Sequence, residues 1–357
     1  MRALVLHGVN DLRFDDVPAP DIPPGWVRVR VAFCGVCGSD LPRLFVKGAH
    51  RHPIICGHEF AGTVEALGPG VEGVAPGDRV TAIPLIACGK CPACAERAYA
   101  RCENYDYLGS RRDGAFAESV VAPARNLLKV PDGVGLEAAA MTEPAAVARH
   151  ALRRMGDRLD GKTVAIFGAG PIGLIVAQWA RAMGARAIAL QDPIGRKLDM
   201  ARSLGFETTV PAGGADMTVD AAGAPAALLA ALRAVRRGGH VVLLGNPSGD
   251  LTLPAELWSR LMRWEATLHG TWNSDFGVEG ERDDWRAALA AMKEGRLDLA
   301  PLISHRVPLS EAMAMLRAMR DGRAFYSKVL IQPSAPPGSS HGDLFAGGRA
   351  QKHTERR

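Results

Sequence analysis

The chain has 357 residues, of which 47% are hydrophobic and 23% are charged. These proportions are typical of a globular protein and exclude a disordered or fibrous one. Its 43 Lys and Arg only slightly outnumber its 38 Asp and Glu, so the charge gives little reason to expect a nucleic acid or a membrane surface as a partner. At this length two domains are expected rather than a single core.

Seven cysteines cannot all pair within one chain, and the opening residues lack the apolar core of a signal peptide. The longest apolar run, residues 164–177, is too short to span a bilayer. We therefore expect a cytoplasmic protein with reduced thiols, in which clustered cysteines bind metal.

Residues 1–143 are predicted to form a mostly β domain, because Gly and Pro are frequent and short runs such as 27–31 alternate apolar and polar side chains. In residues 144–300, Ala-rich helical patterns alternate with β-branched runs at 163–167, 186–191, 217–221 and 240–244. This alternation predicts an α/β fold with a doubly wound parallel sheet. Between a possible strand at 207–210 and the run at 217–221, too few residues remain for a crossover helix.

The last part of the chain divides in two. Residues 301–333 end in a further apolar run at 328–331 and are assigned back to the first domain. Residues 334–357 contain Pro, Gly, Ser and charged residues with few apolar ones, so they are predicted to be a disordered tail.

The strongest single signal is a group of four cysteines at short spacing: Cys88, Cys91, Cys94 and Cys102. Four thiolates separated by tight turns converge tetrahedrally on one Zn²⁺, and a site with no open position is structural. A redox pair is the alternative. A zinc ribbon that binds nucleic acid would need more basic and aromatic residues than Lys90 and Arg97 supply.

Further metal ligands are offered by Cys37, by His58 and Glu59, and by Glu143. A catalytic zinc needs about three protein ligands and one exchangeable position, which a mixed Cys, His and carboxylate set supplies. Taken singly, each has a simpler explanation. Cys37 could be a small buried residue, His58 and Glu59 could be a surface pair, and Glu143 could be an N-cap ahead of Pro144. Taken together beside a structural zinc loop, they indicate a catalytic centre.

A nucleotide site is predicted where a glycine-rich turn follows the strand at 163–167 and opens the helix at 174–183. Its candidate residues are Gly168, Gly170, Pro171, Ile172 and Gly173. In that context the glycines allow a tight turn and bring pyrophosphate to the helix N-terminus. Asp192, at the end of the next strand, favours NAD over NADP, although Arg196 and Lys197 nearby leave NADP open. A glycine-rich turn without a ligand is the alternative.

The chain from residue 1 to about 332 resembles the zinc-dependent medium-chain dehydrogenases, in particular the polyol branch that includes sorbitol dehydrogenase. The residues that carry the resemblance are the stretches 37–43, 48–50, 57–60 and 109–114. It implies a GroES-like catalytic domain, an inserted Rossmann domain, and a homodimer or homotetramer. It also implies two zinc ions per chain, one structural and one catalytic. The catalytic ion would be held by Cys37, His58 and Glu59, with Glu143 either ligating or holding the water at the metal.

For such an enzyme the expected reaction is hydride transfer from a secondary hydroxyl of a polyol or polyol phosphate to NAD, which gives a ketose. Ser39 is expected to pass the proton of the alcohol towards solvent. Several relatives have a His a few residues later, where this chain has Leu41, Pro42 and Arg43. Exit of the proton is then expected through water or His50.

A phosphorylated polyol needs cations near the cleft that bind its phosphate group. Residues proposed for a phosphate group or for the pocket are Arg43, Lys47, His50, Arg111, Arg112 and Trp272. A secondary-alcohol or threonine-type dehydrogenase is the alternative within enzymes. A non-catalytic NAD-binding sensor or scaffold is the alternative outside them, although a scaffold has no need of an open metal site.

Overall fold

The structure, a computed structural model, describes residues 1–277, 283–335 and 339. It divides into two compact units. Of the described residues, the first contains Met1–Asp78, Leu108–Ala124 and those from Ile303 onward, and the second contains Arg79–Tyr107 and those of Arg125–Leu302. The chain thus returns to the first unit after Leu302, whereas the boundary expected at residue 143 lies inside the second unit. The predicted disordered tail falls outside the described residues except for 334, 335 and 339.

In the described residues the strands are, in chain order, β1 (Arg2–Gly8), β2 (Asp11–Asp16), β3 (Trp26–Gly35), β4 (Ile54–Ile55), β5 (Glu59–Leu67), β6 (Arg79–Ala82), β7 (Leu85–Ile86), β8 (Asp106–Tyr107), β9 (Ser119–Pro123), β10 (Leu127–Lys129), β11 (Thr163–Phe167), β12 (Ala187–Gln191), β13 (Ala215–Asp220), β14 (Val235–Leu243), β15 (Thr267–Gly270), β16 (Ile303–Pro308) and β17 (Lys328–Gln332).

The α-helices of the same residues are α1 (Asp40–Pro42), α2 (Pro92–Ala95), α3 (Leu136–Ala139), α4 (Thr142–Leu152), α5 (Pro171–Ala182), α6 (Gly195–Ser203), α7 (Pro225–Ala234), α8 (Ala255–Arg263), α9 (Asp284–Lys293) and α10 (Leu309–Arg320). A π-helical turn covers Arg43–Lys47, and short 3₁₀ turns cover Tyr99–Arg101, Ala124–Asn126, Arg153–Met155 and Ala300–Leu302. None of the described helices is long and apolar enough to cross a bilayer.

In the first unit, β3 pairs only with antiparallel strands among the described residues, and the sheet continues from β17 to β16 through a parallel pair. Val27, Val29 and Val31 of β3 are buried, which is the alternation seen in the sequence. One edge of β3 pairs with β5, and the other pairs with β9 and then with β17, which continues to β16. A separate sheet has the order β2-β1-β4.

The second unit contains a five-stranded parallel sheet in the order β12-β11-β13-β14-β15. Its inner strand β11 is buried along its whole length, as expected for a parallel sheet covered on both faces. The chain leaves β11 towards β12 and later returns beside β11 as β13. This reversal of strand order creates the crevice in which such sheets bind ligands. The antiparallel pairs β6–β10 and β7–β8 also belong to this unit.

The expected α/β fold, a mostly β domain with a doubly wound parallel-sheet domain, is confirmed. The predicted strand at 207–210 is reduced to one parallel bridge between Glu207 and Ala189. Residues 211–214 form a turn rather than a helix, as the short spacing predicts.

Candidate active site

The four cysteines predicted to hold a structural zinc converge in the second unit. Cys88 Sγ lies 3.9 Å from Cys94 Sγ, and Cys91 Sγ lies 3.9 Å from Cys102 Sγ. All four sulfurs lie within 4.8 Å of one another. The loop reaches this arrangement through a left-handed turn at Gly89, whose φ is +74°, and through α2.

Backbone donors favour the thiolate form at two of these cysteines, Cys88 and Cys91, whereas burial raises the pKa of Cys94 to about 12. Hydrogen bonding from the backbone of Lys90 lowers the pKa of the Cys88 thiol to about 6. The backbone of Glu103 similarly lowers the pKa of Cys91. Because zinc binds the thiolate, this donor set fits a four-coordinate structural ion.

The catalytic ligands predicted from the first part of the chain meet where β3 ends and β5 begins. Gly35 is the last residue of β3 and pairs with Glu59, the first residue of β5. This register brings the segment after Gly35 beside His58. As a result one ligand atom each of Cys37, His58 and Glu59 lies within 4.8 Å of the other two. A thiol, an imidazole and a carboxylate, with His58 and Glu59 buried, fit a zinc site that keeps a position for substrate.

Asp40 supports this cluster, a role that the sequence analysis missed. Its fully buried carboxylate accepts hydrogen bonds from the Cys37 backbone N–H at 2.9 Å and from the Arg43 guanidinium at 2.7 Å. The same carboxylate lies 3.7 Å from His58 Nδ1. The sequence could have indicated this role, because Asp40 is only three residues from Cys37.

Ser39 lies beside the predicted metal ligand Cys37. Its hydroxyl donates to Cys37 Sγ at 3.3 Å, and its backbone N–H approaches the same sulfur at 3.5 Å. Two donors on one sulfur favour a thiolate. Ser39 is also partly exposed, so its hydroxyl lies between the cluster and solvent.

Glu143, the remaining predicted ligand, lies in the second unit. It is buried in the first turn of α4, and its Oε1 accepts a hydrogen bond from the Tyr107 hydroxyl at 3.3 Å. The helix begins at Thr142, so the alternative in which Glu143 is the N-cap is wrong. Its role at the zinc stays a prediction.

The glycine-rich turn has the geometry that a nucleotide site requires. It joins β11 to α5, with Gly170 as the N-cap and Pro171 as the first helical residue. A Cβ on Gly173 would lie 1.9 Å from the Gly168 carbonyl oxygen, so this glycine allows the helix to pack against the turn. A Cβ on Gly170 would meet nothing within 4 Å, which leaves room for pyrophosphate.

Asp192 is held against this turn. Its Oδ2 accepts a hydrogen bond from the Ala169 N–H and its Oδ1 one from the Ile194 N–H, each at 2.9 Å. Lys197 Nζ lies 3.5 Å from the same carboxylate. Arg196 is exposed on α6. The carboxylate therefore has a fixed position at the C-terminal end of the sheet.

The residues suggested for substrate have different environments. Arg43 is mostly buried, and its guanidinium forms an ion pair with Asp40 within the cluster. Lys47, His50 and Arg111 are exposed. Arg112 is exposed as well, but its guanidinium stacks over Trp26 at 4.9 Å.

Trp272, in the second unit, lies two residues after β15. This residue is half exposed, and the centroid of its ring lies 5.2 Å from the ring centroid of Tyr105. The side chain of the buried neighbour Asn273 accepts hydrogen bonds from Ser274.

Comparison with known proteins matches both parts of the chain. The family of the alcohol dehydrogenase GroES-like domain matches residues 23–132, and the zinc-binding dehydrogenase family matches residues 171–294. Galactitol 1-phosphate 5-dehydrogenase of Escherichia coli is 35% identical over 324 residues, which are 86% of this chain and 92% of that protein. The crystal structure of galactitol-1-phosphate dehydrogenase from Escherichia coli superimposes with a TM-score of 0.84 at 34% identity, over 93% of this chain and 100% of that chain.

Two further relatives show the range of activities among similar proteins. An L-threonine 3-dehydrogenase of Pyrococcus horikoshii is 32% identical over 336 residues, covering 87% of this chain and 93% of that protein. A zinc-binding dehydrogenase of Sinorhizobium meliloti, solved bound to NADP, has a TM-score of 0.84 at 30% identity and covers 93% of this chain and 99% of that chain. The chain therefore belongs to the zinc-dependent medium-chain dehydrogenases, and it is an alcohol or polyol dehydrogenase-type oxidoreductase whose cofactors are zinc and a nicotinamide dinucleotide.

Proposed function

We propose that the chain oxidises a secondary hydroxyl of a polyol or polyol phosphate, of the galactitol-1-phosphate type, with NAD and gives a ketose. The observation that carries the reaction type is the meeting of Cys37, His58 and Glu59 at the ends of β3 and β5. An NAD-binding sensor or scaffold, the alternative outside enzymes, has no use for a buried mixed ligand set with an open position.

Each residue of the cluster has a separate task. Zinc, when bound by Cys37, His58 and Glu59, supplies the positive charge that makes a substrate hydroxyl more acidic. Asp40 fixes the backbone of Cys37 and lies beside the His58 ring, so it orients two ligands. Glu143 is proposed as a further ligand or as the group that holds water there.

Ser39 is proposed to take the proton of the alcohol. Its partly exposed hydroxyl lies 3.3 Å from Cys37 Sγ, which keeps it at the metal ligand while leaving a side open to solvent. Arg43 cannot replace the histidine that completes the relay in several relatives, because its guanidinium is bound to Asp40. Water or the exposed His50 then provides the exit.

A phosphate group would be met by cations on two neighbouring loops of the first unit. Lys47 ends the π-helical turn and Arg51 lies on the loop that follows it before β4, whereas Arg111 and Arg112 lie on the loop after β8. The two loops are joined, because the Arg51 guanidinium donates to the Arg111 carbonyl at 3.2 Å. Among these cations, Arg51 forms an ion pair with the carboxylate of Asp113 at 2.8 Å.

The second loop also reaches the catalytic segment. The N–H groups of Gly114, Ala115 and Phe116 donate to the carbonyls of Ile55, Gly57 and Cys56, respectively, which directly precede His58. A phosphate bound by Arg111 would therefore lie on the same stretch of the first unit as the catalytic ligands. This supports a phosphorylated substrate over a neutral one.

The test is NADH formation from galactitol-1-phosphate, galactitol, other free polyols, simple secondary alcohols and L-threonine. Arg111→Gln is expected to raise KM roughly tenfold or more for the phosphate and to leave free polyols unchanged, because a charged hydrogen bond is lost. Arg101→Gln, an exposed arginine paired with Glu96 in the cysteine lobe, is the matched control. If phosphates show no advantage in kcat/KM over their parent polyols, the phosphate proposal is wrong.

L-Threonine is the second candidate substrate, because a relative named for that activity is 32% identical. Threonine is a zwitterion without net charge, so the cations on the two loops give it no advantage of the kind that a phosphate group would gain. Turnover of threonine above all polyols in the same screen would favour this candidate.

NAD is proposed over NADP because the fixed carboxylate of Asp192 would repel a 2′-phosphate. Asp192→Ala is expected to reduce the preference for NAD in kcat/KM. Asp199→Ala, on the exposed side of α6, is the control. A wild-type enzyme that prefers NADP would contradict the assignment.

A further inference from the structure

A buried lysine lies against one of the catalytic ligands. Lys328 is the first residue of β17, and its ammonium forms an ion pair with Glu59 Oε2 and donates to the Val36 carbonyl at 3.1 Å. Both side chains are at least 96% buried. The sequence gives no hint of this pair, because 269 positions separate the two residues along the chain.

The fold leaves space for this pair at Gly35. Gly35 is paired with Glu59 on one side of β3 and with Leu330 of β17 on the other. A Cβ at position 35 would lie 2.3 Å from Glu59 Oε2 and 2.9 Å from Lys328 Cε. A side chain larger than hydrogen at this position would therefore separate the ammonium from the carboxylate.

The carboxylate of Glu59 thus has two competing partners. One of its oxygens lies within 4.8 Å of the ligand atoms of Cys37 and His58, and Oε2 is bound to Lys328. Attraction to the ammonium draws negative charge away from the metal position, and the ammonium itself repels a nearby cation. Both effects weaken the hold of Glu59 on zinc without removing the ligand.

We propose that Lys328 is a positioning residue that shares Glu59 with the catalytic zinc and so keeps this carboxylate a weak ligand, which leaves a metal position free for the substrate. The role concerns the metal centre alone, so it does not depend on which alcohol is oxidised.

The test compares the loss of the catalytic zinc to a chelator in four proteins: wild type, Lys328→Gln, Lys328→Arg and Lys328→Gln with Glu59→Gln. The amide of the Lys328→Gln protein keeps a donor for the Val36 carbonyl but carries no charge. We expect it to lose zinc about tenfold more slowly than wild type, the scale found for groups that contact metal ligands. Lys328→Arg is expected to lose zinc at about the wild-type rate. The double variant is expected to lose zinc faster than Lys328→Gln, because Glu59 no longer supplies a carboxylate.

Replacement of the catalytic zinc by Co²⁺ gives a second readout. The visible spectrum is expected to shift towards higher coordination in Lys328→Gln and to remain unchanged in Lys328→Arg. The structural zinc of the four cysteines, counted in the same samples, reports that the protein is folded. Equal or faster zinc loss in Lys328→Gln, with an unchanged cobalt spectrum, would overturn the proposal.

Should Lys328→Gln fail to fold, Lys328→Met, which is uncharged and of similar length, takes its place, and Glu59→Gln tests whether Glu59 holds the metal at all. If the zinc and Lys328 share the carboxylate of Glu59, the Glu59→Gln variant should lose zinc at least tenfold faster than wild type, because this ligand is gone while the ammonium remains. A wild-type rate would show that Glu59 takes no part in holding the metal and would overturn the proposal as well. None of these measurements requires the substrate, so the failure of the substrate assignment would leave them interpretable.

Discussion

The carboxylate of Asp40 accepts a hydrogen bond from the backbone N–H of Cys37 at 2.9 Å, and a second one from Arg43 at 2.7 Å. The zinc ligand Cys37 is thus fixed by a buried acid whose charge is balanced by the neighbouring arginine. His58 lies 3.7 Å from the same acid. Removal of this one carboxylate should therefore disturb two metal ligands at once.

We expect Asp40→Ala to weaken binding of the catalytic zinc roughly 10- to 100-fold, because groups that orient metal ligands have effects of this size. The structural zinc is expected to remain. Asp11→Ala, an exposed acid paired with Arg13, is the matched control. Zinc per chain, measured after dialysis against a weak chelator, checks the result, and retention of both ions by Asp40→Ala would contradict it.

Replacement of Cys37 by Ala is expected to reduce the zinc content from about two ions per chain to one and to abolish NADH formation. The protein should stay folded, because the four-cysteine lobe and the β-sheet do not depend on this side chain. Cys88→Ser is the complementary change and should remove the other ion. Surviving turnover in Cys37→Ala would remove the catalytic assignment.

The reactivity of Cys34 and Cys56 towards thiol reagents is expected to be low, because both side chains are buried. Burial raises the pKa of Cys34 well above its ordinary value and that of Cys56 to about 12. Thiolates react and thiols do not, so both should stay unmodified by iodoacetamide at pH 8 in the folded protein. Mass spectrometry of the labelled peptides checks this, with the urea-unfolded protein as the positive control.

Two glycines of the nucleotide turn should respond in opposite ways. Gly173→Ala places a Cβ against the Gly168 carbonyl oxygen and is expected to lower stability by about 1–3 kcal/mol, as overpacking does. Gly170→Ala meets no protein atom, so it should leave the melting temperature unchanged and weaken NADH binding. Thermal unfolding and fluorescence titration with NADH separate the two effects, and equal melting temperatures would contradict the packing argument.

Asp284 should make stability depend on pH. Burial by itself would raise its pKa, but the hydrogen bond from His150 and the charge of Arg153 lower it below the ordinary value of 3.8. Its ionised form therefore contributes stability above that value, and this contribution is lost as the pH falls through the lower folded-state pKa.

We expect Asp284→Asn to destabilise the protein at pH 7 by about 3–5 kcal/mol, because Arg149 and Arg153 lose a buried partner. The difference from wild type should shrink as the pH falls towards 3. Asp199→Asn, at an exposed position, is the control. Urea unfolding at several pH values measures both, and a difference that is the same at pH 7 and at pH 3 would rule out this account.

Local patterns predicted much of the fold. The glycine turn, the apolar strand β11 and the four cysteines are short-range features, and their residues alone define them. The possible strand at 207–210 is not formed in full, because a short β-branched stretch does not reveal whether it finds a full partner. The structure gives it only the bridge from Glu207 to Ala189.

The residues that were missed depend on distant pairing. Asp40 was within the motif, yet its carboxylate becomes important only because the register of β3 and β5 brings His58 next to it. In the sequence alone, Lys328 is a charged residue at the start of an apolar strand, and nothing distinguishes it from an exposed lysine. Only the pairing of β17 with β3 reveals that it contacts Glu59.

The position of β17 in the chain also bears on how the enzyme is made. The first unit starts to form early, but its sheet is completed only after residues 125–302, most of the second unit, have been synthesised. Until β17 is added, the buried position of Glu59 has no ammonium beside it, and the neighbouring edge of β3 is unpaired. A ribosome-bound chain that stops before residue 328 therefore contains the three zinc ligands without the lysine, so the catalytic centre reaches its final form only after β17 has been synthesised.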